Sequence, residues 1–506
     1  VTLAATHREI ERKLRVHALF QLPDLHQIPD LHIEQKPAQT LDATYFDTAD
    51  LALFRWGITL RRRTGGSDAG WHVKFPVRGA DASARDELRL PLGIAEHVPA
   101  HLVDIVSPLL LGHSLQPVVS LRTERQPFDI ARGGGRVELV DDTVSVLDDG
   151  SVVAVFRELE VEASQADDEA SLHLMNDLIA HLSEAGAVSA GSSKAASALG
   201  PRASAPPDVR VGPMPGPNGL AADALRAMIS THVRHLMLAD VNVRRELPDS
   251  VHQMRVAARR LRSLLSSFAP LFDAEWAEGL RAELAWLASE LGAIRDAEVL
   301  HERLATHARD LPEPFVSPAQ EALDATLGRR AHGALAGALA ALRSDRHQFV
   351  IEDLVEAANT PRFTDLAYRS CREVLPPAMA ATWQVLNKSV RGLDLNGPGA
   401  TWHKARIKAK RARYTAEALA PVFGKRAERL ARTLADVTDV LGSHQDASIA
   451  QEFLQANTDD VHGTTGFALG LLFEREYVYE MKDREAFLAL WPTTVRLAKA
   501  SKLIDL

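Results

Sequence analysis

Glu9-Ile10-Glu11-Arg12-Lys13 near the start of the chain, together with Glu158-Leu159-Glu160-Val161-Glu162 far downstream, decides how the first part of this sequence folds. Side chains alternate across a β-strand, so Glu9, Glu11 and Lys13 share one face, as do Glu158, Glu160 and Glu162. A strand that puts acids where a core face normally sits is either solvated or lines a polar cavity.

Working outward, Thr59-Leu60-Arg61-Arg62-Arg63 sets Arg61 and Arg63 on one face. Trp71-His72-Val73-Lys74-Phe75 sets His72 and Lys74 opposite three large apolar side chains, and Arg85, Glu87 and Arg89 share a phase in Arg85–Leu90. Taken singly, each is the wet face of a half-buried antiparallel strand. Together they place bases and acids on successive strands at the same phase, and a sheet that closes on itself turns those faces inward. An interior of both signs suits a compact polyanion: Arg and Lys neutralise it, and carboxylates hold the divalent metal that accompanies it.

These residues resemble the CYTH domain, the family of triphosphate tunnel metalloenzymes. Glu9-x-Glu11-x-Lys13 is similar to its ExExK signature. Tyr45-Phe46-Asp47-Thr48, Leu53, Gly57-Ile58-Thr59-Leu60-Arg61-Arg62-Arg63, Lys74, Arg85 and Glu87, Arg122 and Arg125, Asp141 and Asp142, the Glu158/Glu160/Glu162 strand and Ser193-Lys194 follow in the family's order, over about residues 5–198. The resemblance implies an eight-stranded antiparallel tunnel in which Lys13, Arg61, Arg63, Lys74, Arg85 and an arginine of the Arg122/Arg125 pair grip a triphosphate. It implies that Glu9, Glu11, Glu87, Asp141, Glu158 and Glu160 hold Mg²⁺ or Mn²⁺, with Glu9, Glu11 and Lys13 as the catalytic signature. The sequence departs from the family in two ways. The usual RxExE reads Arg85-x-Glu87-x-Arg89, a base in place of a carboxylate. Arg122 and Arg125 are three apart, so a regular strand aims only one inward unless a bulge intervenes.

The chemistry implied is phosphoryl transfer to water, which rests on positioning and on stabilising charge in transit. No single side chain is assigned as general base. A P-loop is excluded, because no GxxxxGK[ST] occurs. Gly133-Gly134-Gly135 reads as a hairpin turn.

After residue 198 the chain changes character. Pro201, Pro206, Pro207, Pro213, Pro215 and Pro217 mark a linker over 199–219. Beyond it the sequence is rich in Ala, Leu and Arg with helical periodicity. His252, Arg255, Arg259 and Arg262 are spaced i, i+3, i+7, i+10, and His403, Arg406, Lys410 and Arg413 repeat that spacing 151 residues later. Each set forms one narrow helical stripe. Leu291-Gly292-Ala293-Ile294-Arg295-Asp296 is likewise echoed by Leu441-Gly442-Ser443-His444-Gln445-Asp446. Such a repeat implies two similar helical bundles. A lone basic stripe is usually a solvated face; duplication at matched spacing, in a chain whose net charge is −9, points to a site.

This half resembles the CHAD domain, the conserved histidine α-helical domain often found behind CYTH, over about residues 220–500. The resemblance implies two four-helix bundles whose basic surface, carried by the two sets, binds inorganic polyphosphate. A long polyanion needs a row of cations, and its affinity falls steeply with salt. Nucleic acid is the competing polyanion; few aromatic residues flank the stripes, Trp402 and Tyr414 beside the second alone, and no nucleic-acid motif appears. His252 and His403 have no His or Cys nearby at metal-ligand spacing.

The expected fold is therefore multidomain α+β: an eight-stranded antiparallel β tunnel barrel with flanking helices over 1–198, a linker over 199–219, and an all-α domain of two pseudo-symmetric four-helix bundles over 220–506. Cys371 is the single cysteine, which excludes an internal disulfide and fits a reducing compartment. No apolar run is long enough to span a membrane and no secretory leader is visible. The expected location is the cytoplasm, on polyphosphate granules. Two functions compete. One is a metal-dependent inorganic triphosphatase tethered to polyphosphate by its helical domain. The other is a polyphosphate-binding protein whose tunnel is disabled around Arg89.

Overall fold

In the computed structural model the described residues are 7–77, 84–93, 97–163, 168–191, 193–457 and 461–504, with side chains described from Ile10 onward except Gln27. The Glu9 side chain therefore lies outside the described residues. The chain divides into two compact units, Val1–Asp208 and Val209–Leu506.

The first unit contains strands β1 (His7–Val16), β2 (His32–Gln35), β3 (Gln39–Asp47), β4 (Thr59–Thr64), β5 (Gly70–Pro76), β6 (Ala84–Leu90), β7 (Gln116–Arg132), β8 (Gly135–Asp148), β9 (Ser151–Ala163) and β10 (Val188–Ala190), and helices α1 (Ala52–Arg55), α2 (Ala100–Leu110), α3 (Glu169–Glu184) and α4 (Lys194–Leu199). Eight strands form an antiparallel ring in the order β1-β6-β5-β4-β3-β7-β8-β9, closed by pairing of β9 with β1, Glu11 opposite Glu162 and Lys13 opposite Glu160. β2 adds to β7 and β10 to β1. The eight-stranded closed barrel is as the sequence implies.

Alternation explains why the barrel closes around charge. Leu14, Val16, Leu139, Leu159 and Val161 face outward and are buried beneath Leu174, Met175, Leu178 and Leu182 of α3, a helix that Asp168 caps by accepting from the Ala170 and Ser171 amides. The apolar phase is covered by a helix, which leaves the polar phase to the interior. The Tyr45–Thr48 motif has a structural purpose. The fully buried Asp47 carboxylate accepts from the backbone amides of Thr48, Leu53 and Phe54 at 2.7, 2.8 and 2.9 Å and so fixes the turn from β3 into α1. On the inside, α4 and the turn after it pack Ala195 and Ala203 against Ala43, Tyr45, Leu121 and Val144. Ser193 caps α4 by accepting from the Ala196 amide, and that start carries Lys194 into the barrel.

The second unit contains α5 (Ala221–Arg244), α6 (Ser250–Ser267), α7 (Ala274–Glu290), α8 (Gly292–Arg309), α9 (Val316–Leu323), α10 (Arg329–Leu342), α11 (Asp345–Asn359), α12 (Cys371–Val374), α13 (Pro376–Val390), α14 (Gly399–Phe423), α15 (Lys425–Ala456) and α16 (Gly463–Ala500). The repeat is visible in the fold: α6 corresponds to α14, and the pair α7–α8, broken at Leu291, to the unbroken α15. In the second half α13, α14, α15 and α16 pack in succession; in the first, α5, α6 and α7 do so, and α8 packs with α9 and α10. α11 is pinned to α5 by the buried Asp240, which faces Arg244 Nε at 2.7 Å and His347 Nε2 at 2.5 Å. Among the described residues no helix is long and apolar enough to cross a membrane.

Gly65, in the turn after β4, has φ +81°, and a Cβ there would lie 2.1 Å from the Thr40 carbonyl oxygen. Gly65→Ala is expected to destabilise the barrel unit by about 3 kcal/mol, because strain and backbone collision add. Urea unfolding followed by tryptophan fluorescence checks this, and an unchanged midpoint refutes it.

Candidate active site and polyanion face

The barrel encloses a cavity of about 780 Å³ lined by charges of both signs, cations predominating on β4–β6 and acids on β8 and β9. Arg61 and Arg63 of β4, Lys74 of β5 and Arg85 and Arg89 of β6 line one wall; Glu11 of β1, Glu138 of β8 and Glu160 and Glu162 of β9 line the wall facing it around the ring. The acids do not stand alone. Lys13 Nζ lies 2.6 Å from Glu160 and 3.3 Å from Glu11. Lys194 Nζ lies 2.9, 2.9 and 2.8 Å from Asp142, Glu158 and Glu160. Arg125 binds Asp142 through Nε and Nη2 at 2.9 and 2.7 Å and reaches Glu160 at 3.1 Å.

The titration directions follow from this packing. Burial pushes the Glu160 carboxyl up, but Lys13, Lys194 and Arg125 outweigh it and hold Glu160 well below the usual carboxylate range. Glu11 is lowered likewise, Lys13 and Lys74 outweighing burial. Glu158, more weakly compensated, is raised by burial. On the cationic wall, burial and the neighbouring Arg61 and Arg125 bring Arg63 down to about 9, although Asp68 is in contact with it. Arg61 donates to the Tyr45 hydroxyl at 3.3 Å.

Two assignments made from the sequence are corrected. Arg122 faces outward, half exposed and bonded to Asp42. β7 runs without a register shift from Arg122 to Arg125 against both neighbours, so simple alternation turns Arg125 inward and Arg122 out. Asp141 also faces outward, bound by Arg157 at 2.8 and 2.6 Å, and the inward acid of that pair is Asp142. Lys13, Arg61, Arg63, Lys74, Arg85, Glu11, Glu87, Glu158 and Glu160 all lie on the inward phase of their strands. Lys194, which sequence order alone placed near the site, is its central counter-ion. The signal for it was the Ser193 cap, which makes Lys194 the first residue of a helix.

The donors offered to a cation are all carboxylate oxygens, the hard set that suits Mg²⁺ or Mn²⁺, and Glu11 and Glu160 are held ionised. Among the described residues no three His, Cys, Asp or Glu side chains gather as a ready cage; Lys13 and Lys194 sit between the acids instead.

In the helical unit the two stripes meet. α6 and α14 are joined by Ser267–Thr415 (2.8 Å), Arg411 to the Ser266 carbonyl (3.0 Å) and Arg260–Glu417 (3.1 Å). Arg259 lies 5.6 Å from the Tyr414 ring and acts electrostatically on Arg406 and Lys410 across the pair. Arg255 donates to the Leu291 and Gly292 carbonyls at 3.1 and 2.6 Å, at the break between α7 and α8, and lies 3.4 Å from Asp296. Arg406 lies 4.0 Å from Asp446. The Nε atoms of Arg259 and Arg406 are buried without an acceptor. Burial, with Arg406 and Arg259 beside it, brings Lys410 down to about 7. His252 and Arg262 are half-buried on the same helix, and His403 is bonded to Gln445 at 2.5 Å. Arg413 is turned aside to Glu417, Thr438 and Asp439. Arg255, Arg259, Arg406 and Lys410 thus form one cationic face with weak acidic compensation.

The CYTH domain family is matched over residues 7–193 and the CHAD domain family over residues 227–455. An uncharacterized protein of Mycobacterium tuberculosis H37Rv is 34% identical over 507 residues, covering 95% of this chain and 95% of its own. Among solved structures, PptA from Streptomyces chartreusis is 24% identical, over 54% of this chain and 100% of its own, with a TM-score of 0.46. The CHAD domain from the plant Ricinus communis is also 24% identical, over 56% and 96%, with a TM-score of 0.46.

Lys194→Met leaves Asp142, Glu158 and Glu160 short of a buried counter-charge and is expected to cost about 3 kcal/mol or more. Glu160 titrates below its unfolded value in the parent, so its contribution is present above about pH 4.5 and lost as pH falls through the folded value. Without Lys194 the three carboxyls are expected to titrate higher than in the parent, so the deficit is largest near pH 8, where they are ionised, and shrinks toward pH 4 as they take up protons. Denaturant curves at the two pH values check this, and an equal deficit at both refutes it.

Proposed function

The chain belongs to the family that joins a CYTH domain to a CHAD domain, and we propose that it is a metal-dependent hydrolase of inorganic triphosphate whose helical unit binds inorganic polyphosphate. The observation that carries the first part is a barrel interior lined by both signs, with cations predominating on β4–β6 and carboxylates on β8 and β9. Arg61, Arg63, Lys74 and Arg85 neutralise a triphosphate lying along their wall. Lys13, at present shared between Glu11 and Glu160, turns one of its donors to a phosphoryl oxygen. Charge developing on the phosphoryl group in transit meets donors already fixed by buried partners, so little reorganisation accompanies the reaction. Glu11, Glu158 and Glu160, with Glu9 two residues before Glu11 in sequence, are the residues to hold Mg²⁺ or Mn²⁺. That ion supplies charge neutralisation and a water of lowered pKa. The products are orthophosphate and pyrophosphate.

Phosphate release from tripolyphosphate by the full chain is the test, with Mg²⁺ or Mn²⁺ and with chelator. Turnover is expected with metal alone, and Glu11→Gln is expected to reduce it at least about 100-fold, as loss of one charge-stabilising group does. Binding of tripolyphosphate without turnover under any metal overturns the hydrolase and leaves a binding protein.

The second part rests on the Arg255, Arg259, Arg406 and Lys410 face, whose weakly compensated cations suit a linear polyanion. Association with cytoplasmic polyphosphate granules follows from the same reading. Lys410 provides a pH test. Its value of about 7 without ligand is raised by a bound polyanion, so binding takes up a proton. Polyphosphate affinity is expected to tighten as pH falls from 8 to 6, more steeply than in Lys410→Arg, whose charge is fixed. Isothermal titration at the two pH values reads this directly. Identical pH slopes for parent and variant refute the role given to Lys410.

A further inference from the structure

We infer that a second cavity, bounded by α5, α6, α14 and α15 of the helical unit, binds a small uncharged heteroaromatic molecule with a lactam edge, an N–H beside a C=O. The cavity has a volume of about 500 Å³. That falls within the roughly 300–1,000 Å³ of sites that take small organic ligands, which recur between the helices of bundles. α6 and α14, the equivalent helices of the repeat, both line it, with α5 and α15 completing the wall. It is distinct from the polyanion face. Arg260, which lines the cavity, stands about 100° around α6 from Arg259, so one helix gives a residue to each.

The walls set the ligand class. Phe268 and Tyr414 offer aromatic rings, and Met214 and Met228 soft apolar surface. The charges on the wall are matched: Arg260 pairs with Glu417 at 3.1 Å and Arg432 with Glu428 at 3.7 Å. A charged ligand would therefore compete with a pair already made, and an uncharged one does not. The hydroxyls of Thr231, Ser267 and Thr415 are also engaged, the first donating to the Ala227 carbonyl and the other two bonded to each other at 2.8 Å. Two buried polar atoms of lining residues have no hydrogen-bond partner among the described residues, His232 Nδ1 and Arg260 Nε. Burial and the Arg260 guanidinium bring His232 down to about 3. Its imidazole is thus neutral, and Nδ1 accepts when Nε2 carries the proton, whereas Arg260 Nε–H only donates. Buried polar atoms without partners cost stability. A ligand N–H on His232 and a ligand C=O on Arg260 satisfy both, and a flat ring bearing them packs against Phe268 and Tyr414.

The experiment is equilibrium dialysis of carbostyril, an uncharged fluorescent bicyclic lactam, against the full chain, beside its N-methyl analogue, which lacks the N–H. The parent is expected to bind carbostyril saturably, and the N-methyl compound about 10-fold more weakly, the loss of one buried hydrogen bond. Ser263→Trp, which fills the cavity, is expected to abolish binding of both. His232→Leu is expected to weaken carbostyril about 10-fold and to bind the two compounds alike, because the N–H has lost its acceptor. Arg260→Met is expected to weaken both by a similar factor and keep their ratio. Excess tripolyphosphate is expected to leave carbostyril binding unchanged. Circular dichroism controls for folding, and if Ser263→Trp misfolds, the His232 and Arg260 variants decide. The inference is overturned if the parent shows no saturable binding, if tripolyphosphate displaces carbostyril, if a folded Ser263→Trp binds it as the parent does, or if His232→Leu keeps the preference for the N–H compound.

Discussion

The barrel depends on Lys194. Asp142, Glu158 and Glu160 are brought together by pairing of β8 and β9, inside a closed sheet where solvation is poor, and carboxylates left together there strongly disfavour the folded state. One ammonium within 3 Å of all three resolves that conflict, and it comes from outside the ring, on the first residue of α4. The order of events in the chain then has a physical reason. The Ser193 cap starts the helix, Ala195 and Ala203 seat it on the inward apolar residues, and the cation arrives where the acids converge. Arg125 and Lys13 complete the compensation from β7 and β1. The interior thereby keeps Glu11 and Glu160 ionised, a condition for any site that is to hold a cation.

Compensation also explains how the two walls differ in readiness. Glu160 is surrounded by donors and stays charged. Arg63, with Arg61 and Arg125 near it and burial against it, falls to about 9, although the Asp68 carboxylate reaches it. The cationic wall is the side whose charge repels itself. An arriving polyanion relieves that repulsion, so attraction to the ligand is stored in the fold as mutual repulsion among side chains that β4, β5 and β6 hold in place.

Much of the barrel was legible because the period of a strand is two and each motif was read within one strand. Glu11, Lys13, Arg61, Arg63, Lys74, Glu87, Glu158 and Glu160 all fell on the face that alternation gives them. Arg122/Arg125 and Asp141/Asp142 did not resolve. In each pair the phase depends on the neighbouring strand, and both faces of β7 and β8 carry charge, because Asp42 and Arg157 supply partners on the outside. Hydrophobic pattern alone cannot choose between two charged faces. The role of Lys194 was hidden for a related reason: a short helix beginning with lysine carries no sign of what lies beneath it. In the helical unit the spacing of each stripe was readable, but neutralisation of Arg413 was not. Glu417 sits one turn away and is visible in sequence, while Thr438 and Asp439 come from α15.

On the proposed reading the two units meet the same chemical problem, a chain of phosphates, with different arrangements of counter-charge. In the barrel Lys13, Lys194, Arg125 and Arg63 each have an acid within reach, and the ligand enters by exchanging one ion pair for another. Such exchange is selective for a ligand that fits, and it leaves carboxylates beside the bound phosphates to hold a metal. On the α6–α14 face the cations outnumber the acids near them, Asp296 and Asp446 standing 3.4 and 4.0 Å from Arg255 and Arg406, while Arg259 lies over the Tyr414 ring and Lys410 feels Asp446 less than burial and the arginines. A surface of that kind gains from any polyanion in proportion to the charge it brings. On that reading catalysis belongs to the unit where acids and bases are interleaved, and retention to the one where bases are weakly opposed.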